Sequence, residues 1–315
     1  MMTRREFIET CVKAGTAAFL LGGTRNIDRL LAQTVQGSAA PGSPTPKPPD
    51  IVAVKGGGQA ARLDRALKEL GGIGAFVRKG QTVVIKPNIG WSQAPEIAAN
   101  TNPELVGRLV EHCLEAGASK VFVFDHSCDN GPASYRASKI ESHAKSAGAR
   151  VAPGDSSSYY QEVAVQGAAT LKRTKVHELI LEADVFINVP VLKDHSGAGM
   201  TCAMKNMMGI VWDRSEFHRS GLDQCIADSC LVRRPALNIV DAAKIMLSGG
   251  PRGYPGSRYS EQQMLIASAD IVAVDAVSAR TLGRAVSEFD YIAMAEKHGL
   301  GMADLSKLNI SRLTI

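Results

Sequence analysis

The feature that most restricts this chain is a repeated pattern that begins at residue 51. Short apolar runs, rich in β-branched and aromatic residues, alternate with stretches of helical character. The runs are 51–54, 82–85, 121–124, 185–189, 237–240 and 264–267. A strand that is apolar on both sides must be covered on both sides, which calls for helices above and below a mostly parallel sheet. Helical patterns over 60–70, 103–116 and 135–147 supply those layers. Pro103 opens the second of them behind Thr101 or Asn102 as a cap, and Gly117 ends it. The fold class is therefore α/β, a mostly parallel sheet with helices on both faces. Residues 150–175 depart from the pattern. The alternation Glu162-Val163-Ala164-Val165 predicts antiparallel strands or an antiparallel edge extension there. Residues 211–234 and 249–260 read as long surface loops with a short helix, a kind of segment that often carries function.

The first 32 residues stand apart from this domain. Arg4-Arg5 followed by Phe7-Ile8 and a weakly apolar run from Cys11 to Gly23 has the layout of a twin-arginine signal peptide. The run is too short for a bilayer span, which needs roughly 20 apolar residues. Leu30-Leu31-Ala32 and Ser38-Ala39-Ala40 are two candidate cleavage neighbourhoods. Cys11 stands at the start of the apolar run rather than after it, which argues against a lipid anchor. Residues 33–50 are rich in Pro, Gly, Ser and Ala and read as a solvated linker. Residues 51–315 then form a single α/β domain. These features predict a protein exported in the folded state by the twin-arginine machinery to the periplasm, or an equivalent extracytoplasmic space, without a stable membrane anchor.

Charge gives no reason to expect a nucleic-acid partner. The formal net charge is +5, and residues 1–32 account for two of those charges. Aromatic residues are 5% of the chain and form no stacking stripe. Five cysteines follow residue 32: Cys113, Cys128, Cys202, Cys225 and Cys230. An odd number in a large domain is not a disulfide framework, although an oxidising compartment allows one bridge. Cys113 falls in a helical pattern and reads as core.

Chemistry-bearing residues gather where the apolar runs end. Open α/β sheets bind ligands beyond the carboxyl ends of their strands. Lys86-Pro87-Asn88 follows the second run and Asp125-His126-Ser127-Cys128-Asp129 the third. Pro190, Lys193, Asp194 and His195 follow the fourth, and Asp241 ends the fifth. The densest stretch is 188–209. Gly197 and Gly199 let backbone approach a ligand there, and a helix expected to begin near Thr201 would offer free N–H groups to an anion. Met200, Met204, Met207 and Met208 read as core. No Walker spacing is present. Among the residues able to ligate a metal, His126, Cys128, Asp129, His195, Cys202 and His218, none forms a Cys-x-x-Cys or His-x-x-x-His pair.

Lys86-Pro87-Asn88, the stretch 188–209, Ile239-Val240-Asp241 and the run 269–276 resemble domain-of-unknown-function family 362 over nearly all of residues 51–285. Lys193-Asp194-His195, followed by Met204-Lys205-Asn206-Met207-Met208-Gly209, is the most specific part. The resemblance implies no settled reaction. Some relatives append a ferredoxin module with clustered cysteines; this chain has no such clusters, so iron–sulfur binding is not carried over. The family's recurring polar positions correspond to Lys86, Asn88, Lys193, His195, Thr201, Lys205, Asn206, Asp241 and Asp275.

The resulting expectation is an anion-accepting pocket, with a small carboxylate or phosphate as substrate or ligand. Lys193, His195, Lys205 and Asp241 are its candidate catalytic residues. Lys86, Asn88, Thr201, Asn206 and Asp275 are its candidate ligand-binding residues. His195 would act as acid or base, and Asp241 would orient a lysine or hold a metal. Lys86, Lys193, His195 and Asp241 should then share one cleft walled by residues 197–201. The alternative is a metal- or cofactor-binding redox-accessory protein without turnover.

Overall fold

The segments Thr82–Pro87 and Val185–Val189, buried along almost their whole length, lie side by side inside the sheet. The computed structural model describes residues 47–315, so residues 1–32, expected to be a signal peptide, and residues 33–46 of the expected linker lie outside the described residues. Twelve strands are present among the described residues: β1 (Ile51–Lys55), β2 (Thr82–Pro87), β3 (Lys120–Val123), β4 (Arg150–Val151), β5 (Tyr160–Ala164), β6 (Arg173–His177), β7 (Val185–Val189), β8 (Val191–His195), β9 (Gly199–Thr201), β10 (Leu237–Ser248), β11 (Arg258–Ser268) and β12 (Ile310–Thr314). The main sheet has the order β12-β1-β11-β10-β7-β2-β3-β4, and β8 and β9 branch from β10. It is mostly parallel, with antiparallel pairs at β1–β11, β10–β11 and β8–β9.

Side-chain alternation divides the sheet residues between two cores, one on each face. Val84, Phe186, Val240 and Ile266 point into one core, against the helices Leu222–Ser229, Ile271–Thr281 and Asp290–Lys297. Val83, Ile85, Ile187, Ile239 and Leu265 point into the other, against the helices Gln59–Glu69, Pro103–Glu115 and Ile140–Ser146. This is the doubly covered α/β architecture that the apolar runs called for. Asn102 caps its helix by accepting a hydrogen bond from the Glu104 amide, with Pro103 in the first turn. The four methionines of the 200–208 stretch are buried, as is Cys113, and the five cysteines among the described residues are free thiols.

Three segments refine or correct the sequence reading. The helix expected over 135–147 is two helices, Gly131–Ala137 and Ile140–Ser146, because Lys139 between them takes a left-handed conformation (φ 59°). The antiparallel strands expected over 150–175 are present as β5–β6, which form a two-stranded sheet of their own beside the main sheet; the last strand of the main sheet on that side is parallel β4. Residues 211–234 are not surface loop. The helices Ser215–Ser220 and Leu222–Ser229 bury Phe217, Cys225 and Ile226. Leu222, Cys225, Ile226 and Cys230 recur at helical spacing, so the second of these helices is legible in the sequence although the loop reading passes over it.

A break in one strand shapes the site. β7 ends at Val189, Pro190 interrupts the ladder, and β8 resumes beside the second half of β10. The Pro190 carbonyl still accepts from the Asp241 amide (2.9 Å), so the chain keeps its course. The interruption lets β8 carry Lys193 and His195 past the ends of β2 and β3.

Candidate functional site

Parallel neighbours β3, β2 and β7 end side by side, and the residues just beyond them meet in one cleft of about 550 Å³. Its lining includes Lys86, Asn88, Lys193, His195, Thr201, Lys205 and Asn206, seven of the nine residues named from sequence. Asp125, Cys128, Arg214, Trp91, Gly209 and Pro251 complete much of the wall. Asp241 and Asp275 are elsewhere.

Lys86 ends β2 fully buried, and Asp125 follows the adjacent β3. Their ion pair (Nζ to Oδ1 2.7 Å) forms the buried base of the cleft. The other Asp125 oxygen accepts from the Ile89 amide (2.7 Å), which fixes the loop after β2. Lys86 also donates to the Pro87 carbonyl (3.1 Å). Burial lowers the Lys86 pKa, and the Asp125 carboxylate opposes that shift. Gly209 packs directly on this pair: a methyl placed there would fall 2.6 Å from Lys86 Nζ and closer still to Asp125 Oδ1.

Lys193 is also fully buried. It donates to the carbonyls of Ala99 and of Pro251 (2.7 Å to the latter), tying together two loops that border the cleft. Burial pushes its pKa down to about 7; the Cys128 thiolate would raise it and the Lys205 charge lowers it further. Lys205 is half-buried and makes no hydrogen bond or ion pair among the described residues. Burial, opposed by Cys128 and reinforced by Arg214 and Lys86, brings its pKa to about 8. Arg214 is pinned by the carbonyls of His126 (2.8 Å) and Ser127 (2.6 Å) and reaches the Cys128 sulfur at 3.2 Å.

His195 is held as one tautomer. Its Nδ1 accepts from the amides of Gly197 (3.0 Å) and Ala198 (3.1 Å), so the ring proton sits on Nε2. Burial first, and then Lys205, Lys193 and His218, pushes its pKa down to about 3. It is a neutral hydrogen-bond donor near neutral pH, and the acid–base role expected from sequence would require both Nδ1 bonds to break.

Asn88 and Asn206 join an amide network rather than standing free. Asn206 donates to Asn188 Oδ1 (2.8 Å) and to the Lys86 carbonyl (3.3 Å), and accepts from Asn88 (3.2 Å). The network docks the one-turn helix Ala203–Asn206 onto the strand ends. The Thr201 hydroxyl is buried at the cleft wall without a partner.

Two placements correct the sequence reading. Asp241 does not enter the cleft: it accepts from the Asn102 amide (2.8 Å), the Ala243 amide (3.2 Å) and Gln59 Nε2 (3.2 Å), facing the Gln59–Glu69 helix. The reason is that β10 meets the cleft only through β8, and strand alternation turns Asp241 to the other side. Asp275 lies behind the cleft and accepts from the amides of Ala203 (2.7 Å) and Met204 (3.2 Å). The helix N-terminus expected to receive an anion is therefore already occupied by a protein carboxylate. Burial raises the Asp275 pKa to about 7.

Sequence reasoning flags the segments holding Arg214 and Pro251 as long loops of a functional kind but names neither residue. It places Asp125 among the strand-end residues but gives it no role; Asp125 follows β3 beside the end of β2, where Lys86 stands. Among the described residues, no group of three His, Cys, Asp or Glu side chains is arranged to hold a metal ion. Cys202 faces Asp275 behind the cleft, and Asp129 pairs with Arg252 (3.3 Å).

Fold and site together define an α/β domain with a strand-end cleft rich in buried amines. The model of the family described as Domain of unknown function (DUF362) matches residues 83–280, and the chain belongs to that family. It is 28% identical over 262 residues to a thylakoid-associated protein of Synechocystis, covering 78% of this chain and 76% of that one. Among solved structures it is similar to the lactate racemase apoprotein of Thermoanaerobacterium thermosaccharolyticum, at 12% identity and a TM-score of 0.42. That match covers 65% of this chain and 52% of the other, so the chain spans about half the racemase's length. A Thermotoga maritima protein matches with the same identity and TM-score, over 76% of this chain and 59% of that one.

Proposed function

We propose that this protein binds a small carboxylate or phosphate in the cleft at the strand ends and acts on it as an enzyme. One observation carries the reading: Lys86, Lys193, Lys205 and Arg214 line one cleft, and the single buried carboxylate among them, Asp125, is committed to Lys86. Burying several like charges is costly unless an anion joins them. A bound anion would neutralise Lys205 and accept from the neutral His195 ring. The test is calorimetric titration of the purified protein with inorganic phosphate, oxalate and succinate at pH 6.5. Binding of at least one anion, weakened at least tenfold in Lys205→Met, is expected. Absence of binding by all three at millimolar concentration would overturn the reading.

We further propose that the chain is exported folded through the twin-arginine route, on the strength of Arg4-Arg5 and the weak apolar run behind them. Among the described residues, no helix is long and apolar enough to cross a membrane. Changing both arginines to lysine should retain the precursor in the cytoplasm. Unimpaired delivery of that variant would refute the assignment.

A further inference from the structure

The cationic side chains of the cleft are not equivalent. Lys86 is ion-paired with Asp125 and bonded to the Pro87 carbonyl. Lys193 is bonded to two loop carbonyls, and Arg214 to two others. Among the described residues, Lys205 alone of these four has no protein partner. Four residues before it, the Thr201 hydroxyl is 3% exposed and also lacks a partner. An amine and a hydroxyl, both unengaged and both on the cleft wall, stand beside charges that the protein itself holds in place.

We propose that Lys205 is a nucleophile that forms an imine with the carbonyl group of a small 2-oxo acid or a phosphorylated aldehyde or ketone. The inference rests on the anion-binding reading above: the fixed cations and His195 hold the anionic end, and Lys205 meets the carbonyl carbon. The Lys205 nitrogen lone pair forms the new C–N bond while the carbonyl π pair moves to oxygen, which takes up a proton. The resulting carbinolamine loses its oxygen as water, carrying away two hydrogens that began on the amine, and a C=N bond remains. The Thr201 hydroxyl is suited to donate to the carbinolamine oxygen as it forms. A nucleophilic lysine must be deprotonated part of the time, and burial beside other cations is a known way to achieve this. The lowered pKa of Lys205, about 8, is consistent with that requirement.

The experiment uses the mature protein with glyoxylate as probe and cyanoborohydride as reductant, followed by peptide mapping by mass spectrometry. Carboxymethylation concentrated on Lys205, suppressed by an excess of the anion that binds in calorimetry, is the expected result. Lys205→Arg, which keeps the charge, should lose the adduct while still binding the anion. Thr201→Val should slow trapping severalfold. Modification of Lys193 or of surface lysines with Lys205 untouched would overturn the proposal. So would reversible anion binding with no adduct, and in that case the anion-binding reading survives. Loss of both binding and adduct removes both. Mapping of the unaltered protein decides the matter even if a variant fails to fold.

Discussion

Gly209→Ala should cost this protein more than any other single-methyl change in the cleft. The added carbon would sit 2.6 Å from Lys86 Nζ and 2.7 Å from Lys86 Cε, and closer still to Asp125 Oδ1. Neither partner can retreat cheaply. Lys86 is fully buried, and the second oxygen of Asp125 is committed to the Ile89 amide. The pair must therefore part or the Met207–Ile210 turn must lift away. Parting a buried ion pair costs about 3–5 kcal/mol, and forcing a methyl into a packed interior about 1–3 kcal/mol. Partial relaxation sets the expected total near 3 kcal/mol, a fall in Tm of roughly 6–12 °C for a domain of this size. Urea denaturation and calorimetry of the parent and the variant measure it. The same substitution in a Lys86→Ala, Asp125→Ala background, where the obstructing atoms are gone, should cost far less, a non-additivity of at least about 1.5 kcal/mol. A variant melting within about 1 °C of the parent, or equal costs in both backgrounds, would refute the account of the buried pair.

Anion affinity should fall as pH rises through about 7 to 8 and beyond, because Lys193 and Lys205 lose their protons there; a pH-independent affinity from 6 to 9 would contradict it. Stability has the opposite dependence. The unfolded chain holds a proton on Lys193 up to about 10.5 and the folded chain only to about 7, so this lysine's burial penalty is full below pH 7 and relieved between 7 and 10.5. The stability of the parent relative to Lys193→Met should therefore rise across that window. Lys193→Ala should lower Tm measurably, because its bonds to the Ala99 and Pro251 carbonyls are lost. Asp241→Asn should lower Tm while leaving anion affinity within twofold, since Asp241 braces the Gln59–Glu69 helix and the Asn102 amide outside the cleft; calorimetry on the folded variant checks it. Asp228→Ala should cost on the order of 3 kcal/mol, because Asp228 accepts from the amides of Ala169, Thr170 and Leu171.

The sequence by itself determined the layering. Runs such as 82–85 and 185–189, apolar at consecutive positions, can be buried only between two layers, and both layers are there. It also determined that Lys86, Lys193, His195 and Lys205 belong together, because residues beyond parallel strands emerge at one end of the sheet. What it left open were matters of facing and partnership. Asp241 ends an apolar run just as Lys86 does, yet alternation along β10 turns it away from the cleft. Asp275 lies seventy residues beyond Lys205 and still occupies the two helix amides that seemed free for a ligand. Arg214 reaches the cleft from just before the helix Ser215–Ser220, and it is held there by the carbonyls of His126 and Ser127, almost ninety residues earlier. Local pattern reports which residues must be buried and roughly where strands end. Which polar group satisfies which depends on contacts between distant segments, and those exist only once the sheet has brought the segments together.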